Sequence, residues 1–292
     1  MNSSIKFKEV KIIQILLMYI ITIFILIGLG LILNSLKICD IDSFLEDNLL
    51  ALGTNIILFI MLIYSFRVTI NNFKFLYKDF KNKVDIKEVL SVVFTQICFS
   101  MGTVFLLLAI VYLINPNIFN ELLNESAEEI LSVKDLVISM LFSVISAPIV
   151  EELIFRAIIF KRLSKKFSIW TSMIVSSLIF GMLHTNLSII GAIVFGIANC
   201  ILYLKYKNIL IPMLVHFLNN LIVSLPSIIS HPYSNNKDIM NLTLNDIIIY
   251  FIIGAILFII GCLIFIRFIN KNKAYLKKYT NRIQNVSKYL RF

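Results

Sequence analysis

Eight apolar stretches, each close to the roughly 20 residues an α-helix needs to cross a bilayer, occupy most of this chain. They run Ile12–Leu33, Leu49–Phe66, Leu90–Ile114, Leu136–Phe160, Ser168–His184, Ser188–Leu204, Ile209–Leu225 and Ile247–Phe268. A chain that is 59% hydrophobic and only 15% charged lies outside the range of soluble globular proteins. The expected fold is therefore an all-α membrane protein, a polytopic bundle of about eight transmembrane helices.

The distribution of charge supports that count, because Lys and Arg concentrate in cytoplasmic loops. With the N-terminus inside, Lys6, Lys8, Lys11, the Arg67–Lys87 loop, Lys161, Arg162, Lys165, Lys166, Lys205, Lys207 and the C-terminal tail all fall on the cytoplasmic side. Only Lys37, Lys134 and Lys237 fall outside, where the loops are acidic: Asp40, Asp42, Glu46 and Asp47, then Glu121, Glu125, Glu128 and Glu129. An odd number of spans would break the alternation. The net charge of +10 thus reads as topology plus affinity for anionic lipid at the inner leaflet, not as a nucleic-acid footprint. In the tail, Leu276, Tyr279, Ile283, Val286 and Leu290 recur at steps of three and four between basic residues. That spacing predicts an amphipathic helix lying on the inner leaflet.

The first apolar stretch is too long for a signal-peptide h-region and is expected to stay as an anchor. Cys39, Cys98, Cys200 and Cys262 are widely spaced with no C-x-x-C pair, and read as small apolar residues. No repeat or low-complexity tract appears. The chain divides into N-terminal transmembrane helices and loops (1–135), a core (136–225), and a last transmembrane helix with a basic tail (226–292). A short surface helix is expected around Leu122, Ile130 and Leu131. The first three spans and the last read as packing or substrate-guiding scaffold.

Inside the fourth stretch stand two adjacent glutamates and an arginine, in Pro148-Ile149-Val150-Glu151-Glu152-Leu153-Ile154-Phe155-Arg156. Each ionised residue at a helix centre costs roughly 2.5 to 3.5 kcal/mol on insertion scales, so polar partners must offset them. A helix turns about 100° per residue, which places Glu152 and Arg156 on one face and separates Glu151 from Arg156 by about 140°. Arg156 should pair with Glu152, leaving Glu151 without a local cation in a site of low dielectric, where a carboxylate suits general-base work. A buried ion pair that only fixes packing explains Glu152 and Arg156 but not Glu151.

The partners available lie in later spans. His184 ends Phe180-Gly181-Met182-Leu183-His184, and a tight hairpin turning near Phe167 would bring it to the depth of Glu151, close enough to share a water. His216 and Asn220, four apart, offer an imidazole and a carboxamide on one face, a pair suited to an oxyanion hole. Pro148 and Pro212 should each free a carbonyl and bend their helices beside the cluster. His231, beside Pro232, reads as surface.

Taken together, Glu151-Glu152-x-x-x-Arg156, Phe180-x-x-x-His184 and His216-x-x-x-Asn220, on successive apolar segments, resemble the CPBP family of intramembrane proteases, which includes CAAX-processing, bacteriocin-processing and self-immunity proteins. The resemblance covers roughly Leu136 to Leu225. It implies an endopeptidase of about eight helices with a polar cavity open to the cytoplasm. On that pattern Glu151 would activate water together with His184, His216 and Asn220 would stabilise the oxyanion, and Glu152 and Arg156 would support them. A metal-independent, glutamic-type mechanism is expected, with zinc held by Glu151, His184 and His216 as the alternative. No H-E-x-x-H, G-x-S-x-G or G-x-G-D motif points to another intramembrane protease class.

The expected substrate is a membrane-embedded or lipid-proximal protein or peptide. Richness in Ile, Lys and Asn reads as an AT-rich bacterial genome, where leader-peptide or bacteriocin processing or membrane-protein turnover replaces prenylated CAAX targets. Two other readings are a non-catalytic immunity or scaffold protein and a proton-coupled transporter; the second lacks repeat symmetry between its halves.

Overall fold

The computed structural model describes residues 9–37, 47–119, 133–184, 186–230 and 243–289. Cys39, the acidic residues Asp40, Asp42 and Glu46, the helix expected around Leu122–Leu131, His231 and Leu290 lie outside the described residues, as do the side chains of Asp47 and of Tyr279, Ile283 and Val286.

The described residues are helical, without a strand. We number the helices α1 (Ile12–Ser35), α2 (Asp47–Phe66), α3 (Ile70–Lys83), α4 (Ile86–Ile114), α5 (Val133–Leu163), α6 (Ile169–Met182), α7 (Ile189–Tyr206), α8 (Leu210–Ser230) and α9 (Leu244–Tyr289). Each expected stretch has its helix, and among the described residues six are long and apolar enough to cross a membrane. Helix α6 has 14 residues, about 21 Å at 1.5 Å per residue against a hydrocarbon thickness of about 30 Å. His184, two residues beyond its end, is therefore less deep than a full span would carry it. The chain is a multi-pass membrane protein, and its outward faces show it: α1 turns Ile13, Leu16 and Phe24 away from the protein.

The ends of the helices are set by local chemistry. Thr69 caps α3 by accepting from the Asn72 N–H, Asp85 caps α4 by accepting from that of Glu88, and Ser168 caps α6 by accepting from that of Thr171. Between α7 and α8, Lys207 takes a left-handed conformation at φ 52°. Asn208 then accepts from the Leu210 N–H and donates through its own amide to the Leu76 carbonyl and Asp79. This one buried carboxamide starts α8 and holds the polar helix α3 against the bundle.

Helices α4 and α9 touch backbone to backbone. A Cβ on Gly102 would stand 2.5 Å from the Phe258 nitrogen, and one on Gly254 would stand 3.0 Å from that of Leu106. Small residues are what permit such an approach in a membrane, where packing rather than water expulsion drives helix association. The α4–α9 pair is locked at its basic end by Glu88, a buried residue on the turn before the expected third span. Its carboxylate accepts from Lys205 (2.6 and 2.7 Å), the Tyr206 hydroxyl and Asn272 (3.4 Å), with Lys271 at 3.7 Å.

The tail corrects one expectation. No Gly or Pro interrupts residues 267–289, so α9 runs on unbroken for 46 residues instead of giving way to a separate surface helix. Leu276, expected on a lipid-facing stripe, is instead 2% exposed and packs in the main core.

Candidate active site

Helix α5 changes register around its glutamates. It is α-helical over Val133–Met140, π-helical over Leu141–Ser146, α-helical over Ala147–Glu152 and π-helical again over Leu153–Phe160. The Ala147 N–H donates to the Phe142 carbonyl, five residues back. The next donor in that register would be the N–H of residue 148, which proline lacks. The Ser143 carbonyl is thus freed, and the Asn220 amide donates to it at 2.7 Å. In the second π segment the Phe155 carbonyl accepts from the Ser176 hydroxyl at 3.1 Å. Wide turns of this kind are frequent at functional sites. Here they hold the short α-segment with both glutamates between two widened turns, each tied to a neighbouring helix.

Pro212 behaves differently from expectation. It is the third residue of α8, in the first turn, where an N–H has no intrahelical partner to lose. It frees no carbonyl beside the cluster, because the Asn208 cap starts the helix only two residues before it.

The polar cluster forms around Glu152, whose side chain is 0% exposed. Its Oε2 lies 3.1 Å from Arg156 Nε, the pair expected from the four-residue spacing. That N–H is not aimed at the oxygen, so the contact is an ion pair rather than a directed hydrogen bond. The guanidinium, equally buried, lies 4.6 Å over the Phe180 ring. On its other oxygen, Oε1, Glu152 accepts from Asn199 Nδ2 at 3.0 Å and faces His216 Nδ1, also at 3.0 Å. Because a carboxylate paired with Arg156 accepts, the Nδ1 of His216 carries the proton, and its Nε2 is left to face Glu151. The Oε2 of Glu151 is 3.8 Å from that nitrogen. Aromatic edges from Phe180 and Phe195 close the imidazole in at 5.9 and 4.9 Å.

Exposure separates the two glutamates. Glu151 is 30% exposed while His216 is 3% exposed. The site is therefore a packed polar cluster open on the Glu151 side, not an enclosed polar cavity. A cleft of about 490 Å³, lined by Phe59, Ile60, Ile63, Tyr64, Arg67, Val68 and Thr69, contains none of these residues.

The structure brings together Glu151, Glu152, Arg156 and His216. His184 lies against Phe180, its ring 4.5 Å from that ring and its Nδ1 donating to the Phe180 carbonyl at 2.9 Å. Among the described residues His184 makes no ion pair with Glu151. Asn220 is engaged with Ser143 rather than sharing a point with His216. Asn199 was not legible as a partner. Its signal was a lone carboxamide in the apolar run Ala198-Asn199-Cys200-Ile201-Leu202, a polar group that needed a partner as much as a charge did.

The residues as placed do not fit zinc. His184 does not join Glu151 and His216, whose Nδ1 is already taken by Glu152, and no group of three or more His, Cys, Asp or Glu among the described residues is set to hold a metal ion.

Comparison with known proteins meets this geometry over the same residues. A family model described as "Type II CAAX prenyl endopeptidase Rce1-like" matches residues 133–222. A Bacillus subtilis (strain 168) protein with the printed name "Putative membrane peptidase YdiL" is 34% identical over 102 residues, which are 34% of this chain and 42% of that relative. The match thus spans less than half the length of the relative, and no solved structure matches the chain. Residues 133–222, which hold the entire polar cluster, are thus the part of the chain that is similar to type II CAAX prenyl endopeptidases of the Rce1-like kind.

Proposed function

We propose that the chain is an intramembrane endopeptidase that hydrolyses a peptide bond in a membrane-embedded or lipid-proximal protein or peptide, using a water held between Glu151 and His216. The observation that carries this reading is the 3.8 Å separation of Glu151 Oε2 from His216 Nε2. An oxygen about 2.8 Å from each, ordinary hydrogen-bond contact, fits there at an angle of about 85°.

In the reaction, Glu151 takes a proton from that water and the water oxygen attacks the peptide carbonyl carbon. The carbonyl electron pair moves onto its oxygen. As the tetrahedral species collapses, the C–N bond breaks and the proton on Glu151 passes to the leaving nitrogen, giving a carboxylic acid and an amine. Glu152 keeps His216 oriented, with Nε2 toward the water. His184, its Nδ1 spent on the Phe180 carbonyl, keeps Nε2 for a water or substrate, and Asn220 supports the widened turn that carries the glutamates.

A scaffold or immunity protein would keep the Glu152–Arg156 pair for packing, but would have no need of a Glu151 whose buried, unpartnered Oε2 faces an imidazole. The test is cleavage of a membrane-peptide library by the purified protein, with and without chelator, against the Glu151→Gln variant. Cleavage that survives chelation and is lost in the variant supports the reading. Full activity in the variant would overturn it, and loss on chelation would transfer the chemistry to a metal.

A further inference from the structure

Asn199 sits near the middle of α7, fully buried, between Ala198 and Cys200, which are buried too. Nothing in its own helix uses its amide. Its Nδ2 donates across to Glu152 Oε1 at 3.0 Å, while its Oδ1 has no hydrogen-bonding partner. The carboxamide is thus oriented by that one bond, and the assignment of its two ends follows, since an amide oxygen would repel the carboxylate. A glutamate's terminal torsion is broad and roughly two-fold, so a buried carboxylate takes the rotation its partners impose. For Glu152 those partners come from three helices: Arg156 on Oε2 from α5 itself, and Asn199 and His216 on Oε1 from α7 and α8.

We propose that Asn199 is a positioning residue: by sharing Oε1 of Glu152 with Nδ1 of His216, it fixes the plane of that carboxylate and so holds the imidazole with Nε2 toward Glu151. Without it Oε1 is tied by the imidazole alone, and carboxylate and ring turn together. The inference rests on the reading of Glu151 and His216 as the reacting pair, but its mechanical part stands apart from turnover.

The experiment uses the full chain in detergent with ¹⁵N-labelled histidine. Asn199→Leu removes the donor at similar volume, and Asn199→Ala removes it with a smaller side chain. Agreement between them separates the lost bond from altered packing, and either suffices if the other fails to fold. The expected spectroscopic result is one Nδ1–H tautomer for His216 in the parent chain and a mixture of tautomers in the variants. On a peptide the parent cleaves, kcat should fall about 10-fold or more with KM unchanged. In a Glu152→Gln background the same substitution should change kcat by less than about 2-fold, because residues acting through one partner are not additive. An unchanged tautomer, or the same loss in both backgrounds, would overturn the proposal. If the parent chain cleaves nothing, the protease reading fails, and the tautomer comparison still decides the role of Asn199.

Discussion

Glu151 and Glu152 hold opposite edges of a single imidazole: Oε1 of Glu152 lies 3.0 Å from His216 Nδ1, and Oε2 of Glu151 lies 3.8 Å from its Nε2. Neighbours on a helix point about 100° apart, so the two carboxylates reach the ring from different sides and in different surroundings. One is sealed in with a guanidinium and a carboxamide. The other is partly exposed and, among the described residues, pairs with no Lys or Arg.

That difference separates two substitutions of the same kind. Glu151→Gln should lower cleavage by about 10² to 10⁴, the usual contribution of general-base catalysis, while leaving the thermal midpoint in detergent within a degree or so, roughly the effect of a surface change. Glu152→Gln should cost activity and stability together. It strips the counter-charge from a fully buried Arg156, and breaking a buried pair by removing one partner costs about 3 to 5 kcal/mol. Thermal unfolding of both variants beside the cleavage assay checks this; equal destabilisation by both would contradict the assignment.

The widened turn before the glutamates supports a second expectation. Asn220→Ala leaves the partly buried Ser143 carbonyl without its donor, which should cost about 1 kcal/mol, the low end of the penalty for an unsatisfied acceptor. Pro148→Ala restores the missing N–H, and that N–H can reach the same carbonyl. In the Pro148→Ala background, then, Asn220→Ala should cost less than half as much. Additive costs would show that Asn220 does something other than serve the carbonyl that proline frees.

Much of this arrangement is legible in the sequence. Length and hydropathy locate all eight apolar helices, the four-residue spacing pairs Glu152 with Arg156, and Pro148 announces a carbonyl in need of a donor. What the chain could not reveal was which donor answers. That depends on how α5 and α8 are rotated against each other, and Asn220, which reads equally well as half of an oxyanion hole, turns out to face Ser143. Asn199 was invisible for a related reason, since attention to charges in apolar spans passes over a carboxamide that meets the same desolvation problem. Pro212 misled because its effect depends on where α8 begins, and Asn208 decides that through contacts with α3.

Glu88 likewise emerged only from packing. It gathers Lys205, Tyr206, Lys271 and Asn272 from α7 and α9 onto one carboxylate. Glu88→Leu would leave the Lys205 ammonium half-buried beside an apolar side chain, with Lys271 nearby. The expected outcome is a loss of about 3 to 5 kcal/mol, concentrated where α9 leaves the bundle. Hydrogen exchange should rise over residues 268–278 more than over 247–262, where the glycine contacts between α4 and α9 persist. A uniform rise along α9 would mean that Glu88 does not act as a local lock.

The N-terminal segment has a pH-dependent tether. Glu9 pairs with Lys165, and Arg162 Nε donates to the Val10 carbonyl at 2.7 Å, so residues 9 and 10 are fastened to the basic end of α5. The hydrogen bond from Lys165, with the charges of Lys161 and Arg162 behind it, holds the Glu9 carboxyl below its ordinary value of 4.5. A depressed carboxyl contributes its full share of tethering above the ordinary value and loses it as pH falls through the lowered one. Mobility of a spin label on the N-terminal segment should accordingly stay constant from neutral pH down to about 4.5 and rise only below it. In Lys165→Gln the rise should begin at higher pH, because the strongest of the lowering interactions is gone. Both groups are about half exposed, so solvent screens the pair, and the thermal midpoint of the whole protein should hardly move across this range. A label whose mobility changes near pH 6 to 7, in the range where an unperturbed histidine titrates, would show that a group other than Glu9 governs the tether.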